Sequence, residues 1–476
     1  MNAQPVGTAN ASPSVSLPAP RRGLILLVVA FAAFLTMLDN TIVTVALPSI
    51  RAELGLSLTT LEWVATGYIL VFSSVMLTGG RLADVLGRRV IFLVGFAVFT
   101  VASLAAGLAG GAVTLVAARM VQGLGAGLLL PATLAILSTG RDERQRSLGV
   151  AVWMAVAAAA LALGPVLGGL LSEHAHWSWI FLINVPVGVA AVAVGRVAIP
   201  ESRAEDERRM DVPGLVTSSI ALAALTFALV HVPDVGWAAP RTLLALGVAM
   251  AASVMFVAVE RRAPFPMVVP AIFAHRAFSG GVASQVLWGL GVNGVFFFTS
   301  IFLQDVMGFS PTGAGMAFLP LAALIVAVAP CAPALARRFG ANVVVAVGLV
   351  LVATGIAGVT LLQPHHGYGE LVPVMATIGV GSALTTPLGD AVLGAMPDRY
   401  AGVASGVFSV SREVSGIFGI AAVGVLVTLG RDSALAAGSP PAEAFMRGYS
   451  TGLFTAAALV AAGAVLSLWA LPGRKA

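Results

Sequence analysis

Three ionisable side chains interrupt long apolar stretches of this sequence. Asp39 stands in the run from Leu24 to about Ala46, Arg119 in the run near 112–135, and Glu413, preceded by Arg412, in the run near 402–428. A charge in such surroundings is expensive, so each is a functional candidate by default. If the runs are helices, Asp39 and Arg119 lie about seven residues, roughly 10 Å, below the same end of their helices. Equal depth permits pairing. A carboxylate that can trade an arginine partner for a proton has two charge states, and each can favour a different shape of the protein. The alternative is a permanent ion pair that ties two helices together. Glu413 falls about eleven residues into its run, near the middle of a helix rising 1.5 Å per residue. It is a candidate for a second protonation site or a cation-binding carboxylate. A local pair with Arg412 is the alternative, and the divergence of adjacent helical side chains counts against it.

Other groups carry weaker chemistry. Gly80-Arg81-Leu82-Ala83-Asp84-Val85-Leu86-Gly87-Arg88-Arg89 combines glycines that permit a tight turn with an acid and bases able to pair or reach headgroups. Gly164, Pro165, Gly168 and Gly169 remove a backbone donor and allow close packing, which suits a seal against leak or simple helix packing. Trp288 with Phe296, Phe297 and Phe298 offers an aromatic pocket, or ordinary packed aromatics. Asn40, Gln122, Trp288 and Phe297 are the candidate substrate-binding residues. His365-His366 is a poor metal site, and the single Cys331 excludes an internal disulfide or a multi-cysteine cluster. No Gly-rich loop ending in Lys-Ser or Lys-Thr, no His-Glu-x-x-His and no nucleophile elbow occurs. No enzyme, metal or cofactor is expected, and any work must draw on an ion gradient.

The elements that position these residues follow from composition. Of 476 residues, 58% are hydrophobic and 10% charged, with a mean hydropathy of +0.98. A soluble surface cannot be built from so few charges, so most of the chain faces lipid or protein. Runs long enough to span a bilayer occur near 24–46, 60–80, 90–110, 112–135, 147–171, 180–199, 213–232, 241–259, 278–302, 313–335, 342–362, 370–392, 402–428 and 450–471. With fourteen spans, twenty basic residues fall in segments on one side and four (Arg51, Arg241, Arg431, Arg447) on the other. That asymmetry puts both termini in the cytoplasm and the chain in the cytoplasmic membrane. The net charge of +5 is dispersed among these loops, which argues against nucleic acid as a partner. Asp142, Glu143, Arg144 and the run from Glu201 to Arg209 read as solvated loops, and residues 1–20 as a disordered tail.

An internal repeat sharpens the layout. Leu82–Gly87 returns as Leu335–Gly340 and Gly55-Leu56-Ser57 as Gly308-Phe309-Ser310; Gly123, Gly125 and Pro131 return as Gly379, Gly381 and Pro387. An all-α membrane protein is expected, with a six-helix bundle over 21–200, two inserted helices over 201–276 and a second six-helix bundle over 277–476. Parallel halves of this kind place a substrate path between them.

At these residues the sequence resembles the major facilitator superfamily. The Gly80–Arg89 loop is similar to that family's signature between helices 2 and 3, which implies a gating latch formed by Gly80, Asp84, Gly87, Arg88 and Arg89 in the outward-open state. Arg337 replaces the acid in the second copy, so a weaker latch is expected there. Leu38-Asp39-Asn40-Thr41-Ile42-Val43-Thr44-Val45-Ala46-Leu47-Pro48 resembles the helix 1 motif of the fourteen-helix drug/proton antiporters. Arg119-Met120-Val121-Gln122-Gly123-Leu124-Gly125-Ala126 resembles the helix 4 proton-coupling motif. Gly164-Pro165-Val166-Leu167-Gly168-Gly169 resembles the antiporter motif of helix 5, with Ala160 where its leading glycine is usual. Trp177–Pro186 fits the same branch. The resemblance implies proton-coupled export of small molecules, amphipathic or cationic, by alternating access. Nutrient uptake, or a non-transporting sensor of the same fold, is the alternative.

Overall fold

Backbone in hydrocarbon has no water to bind, so its N–H and C=O groups must pair within the segment, which selects the α-helix for apolar runs of this length. The structure is a computed structural model describing residues 19–138, 143–203, 211–264, 266–362, 367–397 and 400–473. The expectations for residues 1–18, Asp142, residues 204–209, His365-His366 and Lys475, and for the side chains of Glu143 and Arg144, lie outside this description.

Among the described residues, fourteen helices are long and apolar enough to cross a membrane. They are α1 Ala19–Leu54, α2 Leu58–Leu86, α3 Arg88–Gly107, α4 Ala112–Ser138, α5 Glu143–His174, α6 Trp179–Ala198 and α7 Val212–Val235. Then come α8 Pro240–Glu260, α9 Arg276–Ile301, α10 Pro311–Phe339, α11 Ala341–Val359, α12 Tyr368–Leu393, α13 Ala401–Ala436 and α14 Pro441–Ala470. Several outrun their apolar stretches. Arg51, Arg241, Arg431 and Arg447, expected in loops, therefore stand within α1, α8, α13 and α14.

Proline shapes the interruptions, because it removes a donor and crowds the preceding turn. In α10 a break at Phe318 precedes Pro320, and a 3₁₀ turn at Ala329–Cys331 contains Pro330. In α12 the break precedes Pro387. α9 runs into a π-helical turn, Phe302–Val306, which carries Gln304 and Asp305.

The repeat is a repeat of backbone geometry. Gly55 (φ 62°) and Gly308 (φ 69°) both adopt the left-handed conformation, and each is followed by a serine cap. Ser57 Oγ accepts from Thr60 N, and Ser310 Oγ from Gly313 N. Gly87 (φ 116°) and Gly340 (φ 94°) form the matching turns at the other end. Packing repeats as well: α2 and α3 flank α4 as α10 and α11 flank α12, and α1 packs on α5 as α9 packs on α13. The six-helix groups meet through α2 on α13, α5 on α10 and α1 on α9. α7 lies against the α2–α13 seam, and α8 packs mainly on α7.

Candidate functional site

Asp39 and Arg119 meet, although not as their expected depths required. α1 extends to Leu54, so Asp39 lies about 22 Å below that end of its helix, against about 10 Å for Arg119 in α4. The two still pair because α1 projects beyond α4. Their side chains are 0% and 1% exposed. Arg119 Nη1 donates to Asp39 Oδ2 and to Gln122 Oε1 at 2.6 Å, and Nε donates to the Val64 carbonyl at 3.1 Å. The guanidinium stands 4.3 Å from the Tyr68 ring centroid, a favourable placement for a cation over a π face. Asp39 Oδ1 accepts from Gln122 Nε2 at 2.7 Å and Asn184 Nδ2 at 3.3 Å. Ser103 Oγ accepts from the same two amides. Five helices (α1, α2, α3, α4, α6) thus converge on one buried carboxylate. Gln122, a candidate for substrate, sits in this network and is not among the residues lining the cavity described below. Ser103, Asn184 and Tyr68 were not singled out in the sequence, and Asn184 Oδ1 is buried with no partner.

Between the halves lies a cavity whose empty space, counted together with its opening to solvent, is about 1040 Å³. Asn40, Thr41 and Thr44 of α1, Ala65 and Ile69 of α2, and Pro165 of α5 face Trp288, Asn293 and Phe296 of α9 and Phe318 of α10 across it. Its walls are mainly apolar, and among the described residues no charged side chain contributes to them. Asn40 and Trp288, both candidates from the sequence, line this cavity. Phe297 does not: it is 0% exposed and packs edge-on against Phe298 with centroids 4.9 Å apart. The adjacent Phe296 faces the cavity and stacks on Phe318 at 5.1 Å. Successive helical residues point about 100° apart, so one step along the run exchanges wall for core.

Glu413 is 8% exposed and accepts from Arg412 Nε and Nη2 at 3.2 and 2.9 Å. The local pair therefore forms despite the divergence of neighbouring helical positions, because the long arginine arm folds back to its neighbour.

The hydrogen bonds and ion pairs described between the halves gather at the arginine-poor end. Arg51 pairs with Asp305 at 3.2 Å, Gln304 Nε2 donates to the Val45 carbonyl at 2.9 Å, and Glu173 Oε2 accepts from Thr312 N at 2.8 Å. The α5 glycines make this closure possible. A Cβ on Gly169 would stand 2.3 Å from the Pro311 carbonyl oxygen, and one on Gly315 equally near that of Pro165. Gly164 and Gly168 give α1 the same access, at Thr41 Oγ1 and the Ile42 carbonyl. At the arginine-rich end Asp84 accepts from Arg88 within its own turn, at 2.9 Å. Arg88 N donates to the Ser202 carbonyl, Arg89 N to Glu201 Oε1, and Gly80 packs beside Pro131. The loop is tied here to the segment after α6.

The model of the Major Facilitator Superfamily matches residues 29–420. The chain is 35% identical, over 84% of its length and 75% of the relative's, to a tetracenomycin C resistance and export protein of Streptomyces glaucescens. It is 36% identical, over 84% and 83%, to a cephamycin export protein of Amycolatopsis lactamdurans. With a puromycin resistance protein of Streptomyces alboniger it shares 34% over 95% and 92%. Among solved structures, a bacterial homologue of the lysosomal transporter Spinster, described as inward-facing, superposes with a TM-score of 0.67 at 15% identity, covering 95% of this chain and 97% of that one. A peptide transporter superposes at 0.66 and 17%, covering 94% and 96%. A family model matched over most of the chain and relatives aligned over 75–92% of their own length agree with the two six-helix groups around a central cavity: this chain belongs to the major facilitator superfamily.

Proposed function

We propose that the protein exports small amphipathic, antibiotic-like molecules across the cytoplasmic membrane in exchange for protons. The arginine-rich end, with both termini, faces the cytoplasm, and transport proceeds by alternating access. The observation that carries this reading is the sealed Asp39–Arg119 network immediately behind Asn40, a residue of the cavity wall. Export and resistance are named for relatives aligned over most of the chain.

The network has the chemistry of a charge switch. A proton on Asp39 removes the charge that Arg119 answers. The guanidinium retains the Val64 carbonyl, Gln122 and the Tyr68 face. Rotation of the Asn184 amide would present Oδ1 to the new Asp39 hydroxyl. Because the partners span five helices, neutralising one carboxylate alters contacts along the whole half that lines the cavity. α5 and α10 form the outer seal, and the Gly80–Arg89 loop is the latch of the opposite conformation.

The test uses purified protein in vesicles with an imposed pH difference and a panel of dyes and antibiotics. Asp39→Asn is expected to lower proton-driven export at least about 100-fold, the scale of about 2.7 kcal/mol, while reaching the membrane normally. Export by this variant at the full rate, or export in the native protein indifferent to the pH difference, would refute the coupling.

A further inference from the structure

Glu62 stands four residues after the start of α2, about 6 Å below its outer end, and the coupling network makes no use of it. It is 2% exposed, and its Oε2 is buried with no hydrogen-bond partner. Its carboxyl lies flat against α13: a Cβ on Gly424 would meet Oε1 at 2.3 Å, Cδ at 2.8 Å and Oε2 at 3.1 Å. Gly424 belongs to the other half, so this carboxyl is clamped in the seam that closes when the outer ends come together.

The charges around it offer no compensation. Asp234 of α7 is near enough to repel it and is itself engaged by Thr59 Oγ1 at 2.8 Å. His231 of α7 packs on Trp63 and points Nδ1 at the Phe227 carbonyl. On α1, Asp39 is held by Arg119, while Arg51 binds Asp305 and Glu53 binds His176 and Trp177. On α4, Arg119 is committed to Asp39 and the Val64 carbonyl. Of the α13 charges, Arg431 pairs with Asp432 and Arg412 with Glu413. Arg88 of α3, at the far end, pairs with Asp84. Among the described residues Glu62 forms no ion pair. A buried ionised carboxylate without a partner is far costlier than the neutral acid.

We propose that Glu62 is a second proton-binding site, loaded from the outside, whose protonation closes the outer seam between α2 and α13. This rests on the alternating-access reading above and extends it. When the seam parts, the carboxyl meets external water and releases its proton there; closing takes one proton back from the same side. The site therefore gates the return to the outer-closed state, and its proton does not itself cross the membrane. It is joined to the other switch by backbone: Val64, two residues along α2, is the carbonyl held by Arg119.

The linkage has a defined sign. The closed form binds one proton more than the open form, so low pH favours closure, and closure weakens as pH rises above the range of an exposed glutamate. The ratio of closed to open changes up to tenfold per pH unit.

The experiment needs no cargo. In full-length protein with the exposed Cys331 replaced by serine, spin labels at Leu58→Cys and Leu435→Cys report the seam distance in nanodiscs from pH 5 to 8. The series is run with native Asp39 and with Asp39→Asn. The open fraction should rise with pH in both backgrounds, and Glu62→Gln should hold the seam closed throughout. An unchanged pH response in Glu62→Gln, or no response in the native protein, overturns the proposal. So does a Glu62→Gln protein that cannot reach the membrane, since glutamine reproduces the size and neutrality of the protonated acid. Failure of proton-driven export in the vesicle test leaves this readout standing, so the two readings fall separately.

Discussion

Removing Arg119 alone would strand Asp39 as an uncompensated charge among five helices, whereas removing both partners would leave only packing to repair. Losing one member of a buried pair typically costs about 3–5 kcal/mol, and apolar replacement of both is often nearly neutral. Arg119→Leu is therefore expected to lower stability in mild detergent by about that amount. The Asp39→Leu/Arg119→Leu double variant should recover more than half of the loss while remaining unable to couple. Equal instability of the single and double variants in denaturation curves would mean the network is held by packing, not by charge. The sequence exposes this pair because two charges in apolar runs have few places to go. It gives no such signal for Phe296 over Phe297, since both are phenylalanine and only the helix rotation separates wall from core. Glu62 escaped notice for a related reason: near the start of its run it resembles a solvated helix end, and only the packing of α13 and α7 shows it to be buried.

In a bilayer, helices gain no hydrophobic advantage from each other over lipid, so close contact depends on small residues. α5 shows this most clearly. Its Gly164 and Gly168 admit α1, and its Gly169 admits the start of α10 from the other half. A methyl group at Gly169 would press on a backbone carbonyl, which cannot rotate away as a side chain would. Gly169→Ala should thus part α5 from α10 at the arginine-poor end. Proton leak in substrate-free vesicles is expected to rise several-fold, at an overpacking cost of about 1–3 kcal/mol. Gly111→Ala, where a Cβ meets nothing within 4 Å, supplies the control. If both variants leak alike, the α5 glycines serve packing and not sealing. The motif was legible in the sequence; which of its glycines faces which neighbour was not, because that depends on the crossing of three helices.

The two halves are held at the arginine-poor end by contacts of unequal worth. Arg51 and Asp305 are 41% and 40% exposed, and pairs so open to solvent contribute at most about 1 kcal/mol. Arg51→Ala is accordingly expected to change the closed-to-open ratio less than about fivefold, measured with the same spin-label pair. A shift beyond tenfold would place the closure in that ion pair instead of in the backbone contacts of α5, α10, α2 and α13. The inserted helices enter at this scale as well. α7 covers the α2–α13 seam, so Asp234 and His231 shape the surroundings of a residue on α2.

The sequence by itself determined that the chain carries fourteen stretches long and apolar enough to cross a membrane, that its two halves repeat, and that Asp39 and Arg119 are charges set in apolar runs. Those properties follow from local composition: apolar length sets a span, glycine and serine set a turn, and an isolated charge marks itself. Only the tertiary structure decided which side chains face the cavity and how far α1 projects past α4. It alone put Glu62 against Gly424. Each of those depends on the rotation and register of one helix against another, and contacts between residues hundreds of positions apart leave no trace in either stretch alone.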